Sequence, residues 1–245
     1  MQSFLMQVSG LTVQVNCLFD TTAAYCKAYQ VSGEESVRTV NISESDLERE
    51  RQRLLKKKNP GEMLQASTPE ALEVLVLCRK LAEFLPDYDR ILFHGSSLAI
   101  DGNGILFTAK SGTGKSTHTR LWREVFGDRV RMVNDDKPFI HIGNDQCTVH
   151  GNPWNGKHGL GENISAPLKA IFFVTRGQEN RVSPMTSREL LPLLLQQTYT
   201  PDDMAAMQKT LPLVLKLADS VQLFKLQCNM DPEAAETAFR SLKFE

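Results

Sequence analysis

Apolar residues alternate with polar ones at Leu11, Val13 and Val15, and apolar positions recur at Ala28, Tyr29 and Val31. Alternation with a period of two places one set of side chains on one face, so residues 11 to 31 read as a pair of short strands. Residues 44 to 58 are dense in charge and read as a helix with Leu47, Leu54 and Leu55 turned inward. A second helix starts at Thr68-Pro69-Glu70, where a capping threonine precedes a proline in the first turn, and runs to about Phe84. Leu85-Pro86-Asp87 ends it. Short apolar runs then follow at Ile91 to His94, Leu98 to Ile100 and Ile105 to Thr108, the last two separated by the tight turn Asp101-Gly102-Asn103-Gly104. A helix is expected from Lys115 to about Phe126, and a strand over Arg131 to Asn134. Phe139 to Ile142 and Cys147 to His150 read as a hairpin. Leu168 to Thr175 is apolar enough for a sheet centre. Two helices are expected near 186–197 and 201–219, the second capped at Thr200-Pro201-Asp202-Asp203. A strand over Val221 to Leu226 and a helix opening at Asp231-Pro232-Glu233 complete the chain.

Strands alternate with helices in the second half, so the class is α/β with extra antiparallel pairs. The texture changes near residue 88. The expected organisation is a small N-terminal α+β lobe over 1–88 and a catalytic domain over 89–245 built on a mixed sheet with flanking helices.

Composition narrows the function classes. The chain has 245 residues, 28 basic against 29 acidic, and a formal net charge of -1. That balance offers no electrostatic footprint for a nucleic-acid partner. The run Lys56-Lys57-Lys58 closes a helix, where cations are favoured by the helix dipole. The five cysteines are scattered, odd in number and form no CxxC pair, which fits reduced thiols in a cytoplasmic protein. No apolar stretch approaches bilayer length, and residues 1 to 10 lack a basic segment followed by a long apolar run. The expectation is a cytoplasmic protein with no membrane partner and no secretory leader. A homo-oligomer is left open.

Candidate chemistry begins at Ala109-Lys110-Ser111-Gly112-Thr113-Gly114-Lys115-Ser116, followed by Thr117. The pattern is that of a phosphate loop with alanine in place of the first glycine. Gly112 and Gly114 lack a Cβ and let the backbone turn its N–H groups around phosphate oxygens. Lys115 supplies charge to the β and γ phosphates, Ser116 a hydroxyl to Mg²⁺, and the following helix its positive end. An apolar strand directly before the loop and an amphipathic helix directly after supply the required context; an ordinary glycine turn is the bland alternative. Further on, Met132-Val133-Asn134-Asp135-Asp136 puts two carboxylates at a strand end. One suffices to hold a metal, and the second suits taking a proton from an attacking hydroxyl. Which does which is open, and the bland alternative is a polar loop cap.

Residues 150 to 163 pack four glycines, His150, His158, Trp154 and Lys157 into one irregular stretch. Long irregular loops in compact domains are often functional. Lys157 and His158 are candidate contacts for a phosphate or an acidic acceptor. Trp154 suits stacking on a ring or, alternatively, anchoring the loop. Arg120 and Arg176 are candidates for neutralising transition-state charge.

With these motifs in place, the second half resembles the HPr kinase/phosphorylase and phosphoenolpyruvate carboxykinase superfamily. The resemblance runs through His94-Gly95-Ser96-Ser97, the turn at 101–104, the loop Ser111 to Ser116 and the strand ending Asp135-Asp136. It covers roughly residues 90 to 180. Ala109 stands where those kinases commonly have glycine and Lys110 where they usually have an acid. The resemblance implies an HPr kinase-like P-loop fold, with ATP or another nucleoside triphosphate and Mg²⁺ as cofactors. It implies that Lys115 and Ser116 hold nucleotide and metal, that Asp135 and Asp136 share metal binding and base duty, and that His94 stands beside them. The leading expectation is a kinase acting on a hydroxyl of a peptide, protein or small molecule. The runner-up is a nucleotide hydrolase or switch that transfers nothing, and a third reading is a non-catalytic nucleotide-binding module. A guanine-specific Asn-Lys-x-Asp element does not occur in the chain.

Overall fold

The computed structural model describes residues 2–57, 68–110 and 112–244. They form two compact units that divide between Phe84 and Leu85. None of the helices described is long and apolar enough to cross a membrane.

The first unit carries a four-stranded sheet in the order β3-β1-β2-β4. Strand β1 (Gln2–Val8) and β2 (Leu11–Cys17) form an antiparallel hairpin. Its two-residue turn, Ser9-Gly10, has φ of 52° and 74°, the left-handed pair that matches strand twist. β1 was not expected from sequence: Gln2, Ser3 and Gln7 dilute its apolar content, and only pairing with β2 and β3 (Gln30–Val31) defines it. The expected second strand shrinks accordingly. Ala28 and Tyr29 sit in a 3-10 turn, and helix α1 (Asp20–Tyr25) occupies the segment between. β4 (Arg38–Asn41) runs parallel to β2. Helices α2 (Glu44–Lys57) and α3 (Pro69–Phe84) complete the unit. Leu47 and Leu54 are buried in α2, but Leu55 is 48% exposed, one residue round the helix from the apolar stripe. Lys58 lies outside the described residues. Thr68 caps α3 as its side chain accepts from Ala71 N at 3.3 Å. Glu73 is fully buried on α3, accepts from the backbone amides of Leu18 and Phe19, and takes the Thr22 hydroxyl at 2.5 Å. Those bonds satisfy the buried charge and tie the start of α1 to α3.

The second unit is a mixed α/β layer structure. Its sheet follows the order β5-β9-β10-β11-β7-β6-β8, with β13 also paired to β11, and β12 to β13. The strands are β5 (Arg90–Leu92), β6 (Ser96–Ile100), β7 (Asn103–Thr108), β8 (Val130–Asn134), β9 (Phe139–Ile142), β10 (Cys147–His150), β11 (Ser165–Arg176), β12 (Arg181–Pro184) and β13 (Gln222–Cys228). β11 organises the whole. Its first residues pair antiparallel with β10, and its last seven pair parallel with β13, while β7 runs parallel along its other edge. β12 was not expected, being short, half-exposed and defined only by pairing with β13.

Helices cover both faces. On one side α4 (Lys115–Phe126) and α7 (Glu233–Arg240) bury Leu121, Trp122, Ala234 and Ala238 against Phe107, Phe172 and Val174. On the other, α5 (Ser187–Gln197) and α6 (Met204–Ser220) bury Leu190, Leu194, Leu213 and Leu217 against Leu106 and Ile171. The alternation of 170, 172 and 174 against 171 and 173 is the strand period distributing one chain between two cores. The cap of α6 is Asp203, whose carboxylate accepts from Ala206 N at 2.8 Å, and not Thr200 as the sequence suggested. The helix therefore begins at Met204, three residues later than expected.

Phe107, Phe172 and Phe224 occupy matched registers on three adjacent parallel strands. Their rings stack at 5.4 and 5.0 Å with interplanar angles of 16° and 21°. Phe172 is the middle ring and is fully buried. Phe172→Ala is expected to cost about 3–5 kcal/mol of stability, the range for a buried aromatic truncation. Chemical denaturation checks this, and a loss below about 1 kcal/mol contradicts it.

Candidate functional site

β7 ends at Thr108, and the chain turns into α4 through a loop that only glycine suits at two points. Gly112 has φ of 76° and Gly114, the residue before the helix, φ of 122°, both in the left-handed region. Ser111 lies outside the described residues. Lys115, the first helical residue, is 9% exposed, and its Nζ donates to Ala109 O at 3.2 Å. That bond folds the lysine back over its own loop. Arg176, at the end of β11, donates to Gly112 O at 2.6 Å and Thr113 O at 3.2 Å. It braces the loop and is not among the residues lining the cleft. Arg120 is likewise absent from the cleft lining. It pairs with Glu124 at 2.5 Å on the exposed side of α4, four residues along the helix.

The aspartates directly follow β8, a strand that is not adjacent to β7. β6 stands between β7 and β8 and runs antiparallel to both. β7, β8, β11 and β13 therefore point the same way, and their carboxyl ends share one edge of the sheet. Open α/β sheets place ligands at that edge. The interposed strand begins at Ser96, a fully buried residue, whose hydroxyl donates to Asp135 Oδ1 at 2.5 Å and lies 3.1 Å from Thr119 Oγ1 on α4. Ser96 thus bridges α4 to the acidic pair.

A cleft of about 340 Å³ opens on this edge. It is lined by His94, Gly112, Gly114 to Thr117, Asp135, Asp136, and Gly156 to His158. Thr113 contributes to the loop through its backbone, its N–H donating to Lys110 O at 3.2 Å. The structure thus brings together residues spread over 65 positions, from 94 to 158. Lys157 and His158 are exposed on its rim. Trp154 is 3% exposed and packs on Phe139 at 6.2 Å between ring centroids, so it anchors the loop and is not placed to stack on a ligand. His150 is half-buried on β10 away from the cleft, its pKa lowered to about 4 by desolvation and by the positive charge of Arg90.

Burial pushes the Asp135 carboxyl above its ordinary value, opposed by hydrogen bonds from the Ser96 and Ser116 hydroxyls. Burial pushes the Lys115 ammonium below its ordinary value, opposed by the negative charges of Asp136 and Asp135. His94 is also lowered, first by burial and then by Lys115, with Gln197 and Asp136 opposing. Its Nδ1 lies 2.9 Å from Gln197 Oε1, and its Nε2 lies 3.7 Å from Asp136 Oδ1. Gln197 comes from the end of α5, held by His94 N donating to Gln197 O at 2.7 Å. The tautomer that donates from Nδ1 to this amide oxygen turns its unprotonated Nε2 toward Asp136. The other Asp136 oxygen is 3.4 Å from Lys137 Nζ.

Among the described residues, no group of three or more His, Cys, Asp or Glu is arranged to hold a metal by itself. Ser116 and Asp135 do offer two hard oxygens already hydrogen-bonded to each other. That small donor set fits an ion such as Mg²⁺, which keeps several waters and takes phosphate oxygens as further ligands.

Sequence reasoning missed Ser96, Gln197, Asn134 and Asn152. Ser96 stands two residues after His94, but nothing local says its hydroxyl faces Asp135. Gln197 lies 103 residues from its partner.

No protein-family model matches the chain, and no curated protein matches it. Among solved structures, the chain is similar to the HPr(Ser) kinase/phosphatase from Coxiella burnetii, with 13% identity over 61% of this chain and 93% of that one, at a TM-score of 0.37. A likeness that distant assigns no function.

The raised Asp135 carboxyl has a consequence for stability. A group whose folded pKa lies above its unfolded value resists ionisation in the folded state, so its charge disfavours folding once pH exceeds about 4 and increasingly up to the folded pKa. Asp135→Asn removes that charge and keeps one oxygen to accept from Ser96. Without ligands, the variant is expected to unfold at a higher temperature than the parent at pH 7, with the difference vanishing near pH 4. Calorimetry at the two pH values checks this, and a lower unfolding temperature at pH 7 contradicts it.

Proposed function

We propose that the second unit is an Mg²⁺-dependent kinase that moves the γ-phosphoryl group of ATP, or another nucleoside triphosphate, to a hydroxyl on an acceptor. The observation that carries this reading is the meeting, in one cleft, of the glycine loop with Lys115 and of an acidic pair differentiated by its partners. The loop is read as a phosphate loop. Its two left-handed glycines and its position at the start of α4 suit a polyphosphate facing backbone amides and the positive helix end.

The surroundings of the aspartates divide their roles. Asp135 is tied to Ser116 and Ser96, so it belongs with Ser116 as a metal-holding carboxylate. Asp136 faces the open lone pair of His94 and the charge of Lys115, so it belongs with the acceptor. The metal, when bound, would neutralise phosphate oxygens and align the chain. In the transfer the acceptor oxygen forms a bond to the γ-phosphorus, and the bond from that phosphorus to the β–γ bridging oxygen breaks. Its electron pair stays on the departing diphosphate, whose growing charge Lys115 offsets. The acceptor's proton passes to the Asp136 carboxylate, with His94 Nε2 beside it to share the proton. Lys157 and His158, on the rim of the same cleft, suit an acceptor that carries negative charge.

Incubation of the protein with γ-labelled ATP and a cell extract tests the reading. Label on an acceptor supports a kinase, whereas label recovered only as free phosphate favours the hydrolase alternative. Lys115→Ala is expected to lose tight Mg·ATP binding while keeping the fold, with a transition-state cost of about 2–4 kcal/mol. Calorimetric titration reads the affinity, and unchanged binding together with unchanged turnover refutes the assignment. The two aspartates should separate. Asp135→Asn is expected to weaken Mg·ATP binding and recover partly at high Mg²⁺. Asp136→Asn is expected to bind Mg·ATP normally, lose roughly 10²–10⁴-fold in transfer rate and ignore added metal. Reversed phenotypes overturn the division of roles, and near-parental transfer in both variants overturns the site.

A further inference from the structure

Asn134, the last residue of β8, precedes the acidic pair and is fully buried. Its side chain faces two ways. Oδ1 accepts from Asp136 N at 2.9 Å and Lys137 N at 2.7 Å, which bends the backbone directly after the strand. Nδ2 points into four oxygens of the irregular loop: Asn152 O at 3.3 Å, Asn152 Oδ1 at 3.0 Å, Trp154 O at 3.2 Å and Asn155 Oδ1 at 2.9 Å. An amide nitrogen has two hydrogens, so these oxygens exceed the donors available and the loop is shaped as a cradle for this one group.

The loop returns the contact. Asn152, also fully buried, donates through Nδ2 to Lys137 O at 2.6 Å and accepts from Trp154 N at 2.9 Å. The backbone of Asn134 bridges to Gly161, where an added Cβ would sit 2.2 Å from Asn155 Oδ1. At Gly156, with φ of 69°, an added Cβ would lie 3.0 Å from the Asp136 Cβ. The turn bearing Asp136 and the loop bearing Lys157 and His158 therefore close on the same amide. Polar groups buried in such a network are costly to leave unpaired, so the arrangement holds together as a unit.

We propose that Asn134 is a positioning residue for the transfer step: through Asn152 it locks the Asp136 turn to the 150–163 loop, so that the proton acceptor and the cationic rim keep one fixed relation. This rests on the kinase reading of the cleft. Asn134 lies outside the cleft lining, so its effect runs through Asp136 and not through contact with nucleotide.

The test is a double-mutant cycle on the full chain with Mg·ATP and water as the acceptor, read as single-turnover release of labelled phosphate at saturating nucleotide. Asn134→Ser is expected to leave the Mg·ATP dissociation constant within about threefold of the parent and to slow release at least tenfold. In an Asp136→Asn background the same substitution should slow release less than about twofold further, because a residue acting through Asp136 has nothing left to position. A residue with a merely structural role would impose its full penalty in both backgrounds. Should Asn134→Ser fail to fold, Asn152→Ala, which removes one acceptor of the Asn134 amide and the donor to Lys137 O, enters the same cycle. Additive penalties, unchanged release at saturation, or a dissociation constant rising in step with the loss of rate each overturn the proposal. Loss of Mg·ATP binding in Lys115→Ala combined with additive penalties removes the role of Asn134 alone. Unchanged binding and turnover in Lys115→Ala removes the kinase reading instead.

Discussion

Lys115 is held nine-tenths buried at the start of α4, where the helix dipole and the loss of water both disfavour a positive charge. Asp135 and Asp136 offset that cost from the end of β8, which β6 separates from β7, the strand leading into the lysine's loop. The remaining architecture of the cleft follows from keeping these three charges near one another. β6 must be short at this end and must start with a residue small and polar enough to bridge, which Ser96 is. The backbone after β8 must turn so that consecutive carboxylates stay on one side, which Asn134 arranges by accepting from two amides in succession.

The same charges explain why the two aspartates are not equivalent. Asp135 is 6% exposed and surrounded by hydroxyls, so its charge is costly until a cation joins it. Asp136 is partly open to solvent and stands between an imidazole and two ammonium groups. In the proposed kinase, this difference in surroundings gives Asp135 the metal and Asp136 the acceptor's proton. A buried carboxylate held without a compensating cation is a liability to the fold.

Rigidity is distributed to match. The stacked phenylalanines at the sheet centre and the helices on both faces hold the carboxyl ends of β7, β8, β11 and β13 in register. Arg176 holds the carbonyl side of the glycine loop, and Trp154 pins the irregular loop against Phe139. Lys157 and His158 stand exposed on the rim of the cleft.

The sequence by itself determined the elements whose cause is local. The β7–loop–α4 unit, the Asp101–Gly102 turn, the β9–β10 hairpin and the strand end at Asp135-Asp136 are each written in a few neighbouring residues, through apolar period, glycine conformations and turn chemistry. Tertiary structure decided whatever depends on a distant partner. β1 and β12 exist because of the strands they pair with. Trp154 anchors and Arg176 braces because Phe139 and the loop carbonyls are where they are; Arg120 turns outward to Glu124, four residues away on the exposed face. The amides and hydroxyls that set the acids apart, Ser96, Asn134 and Gln197, are ordinary polar residues in sequence. Their meaning comes from hydrogen bonds spanning up to 103 positions, and no local pattern encodes a contact made only when the chain has closed.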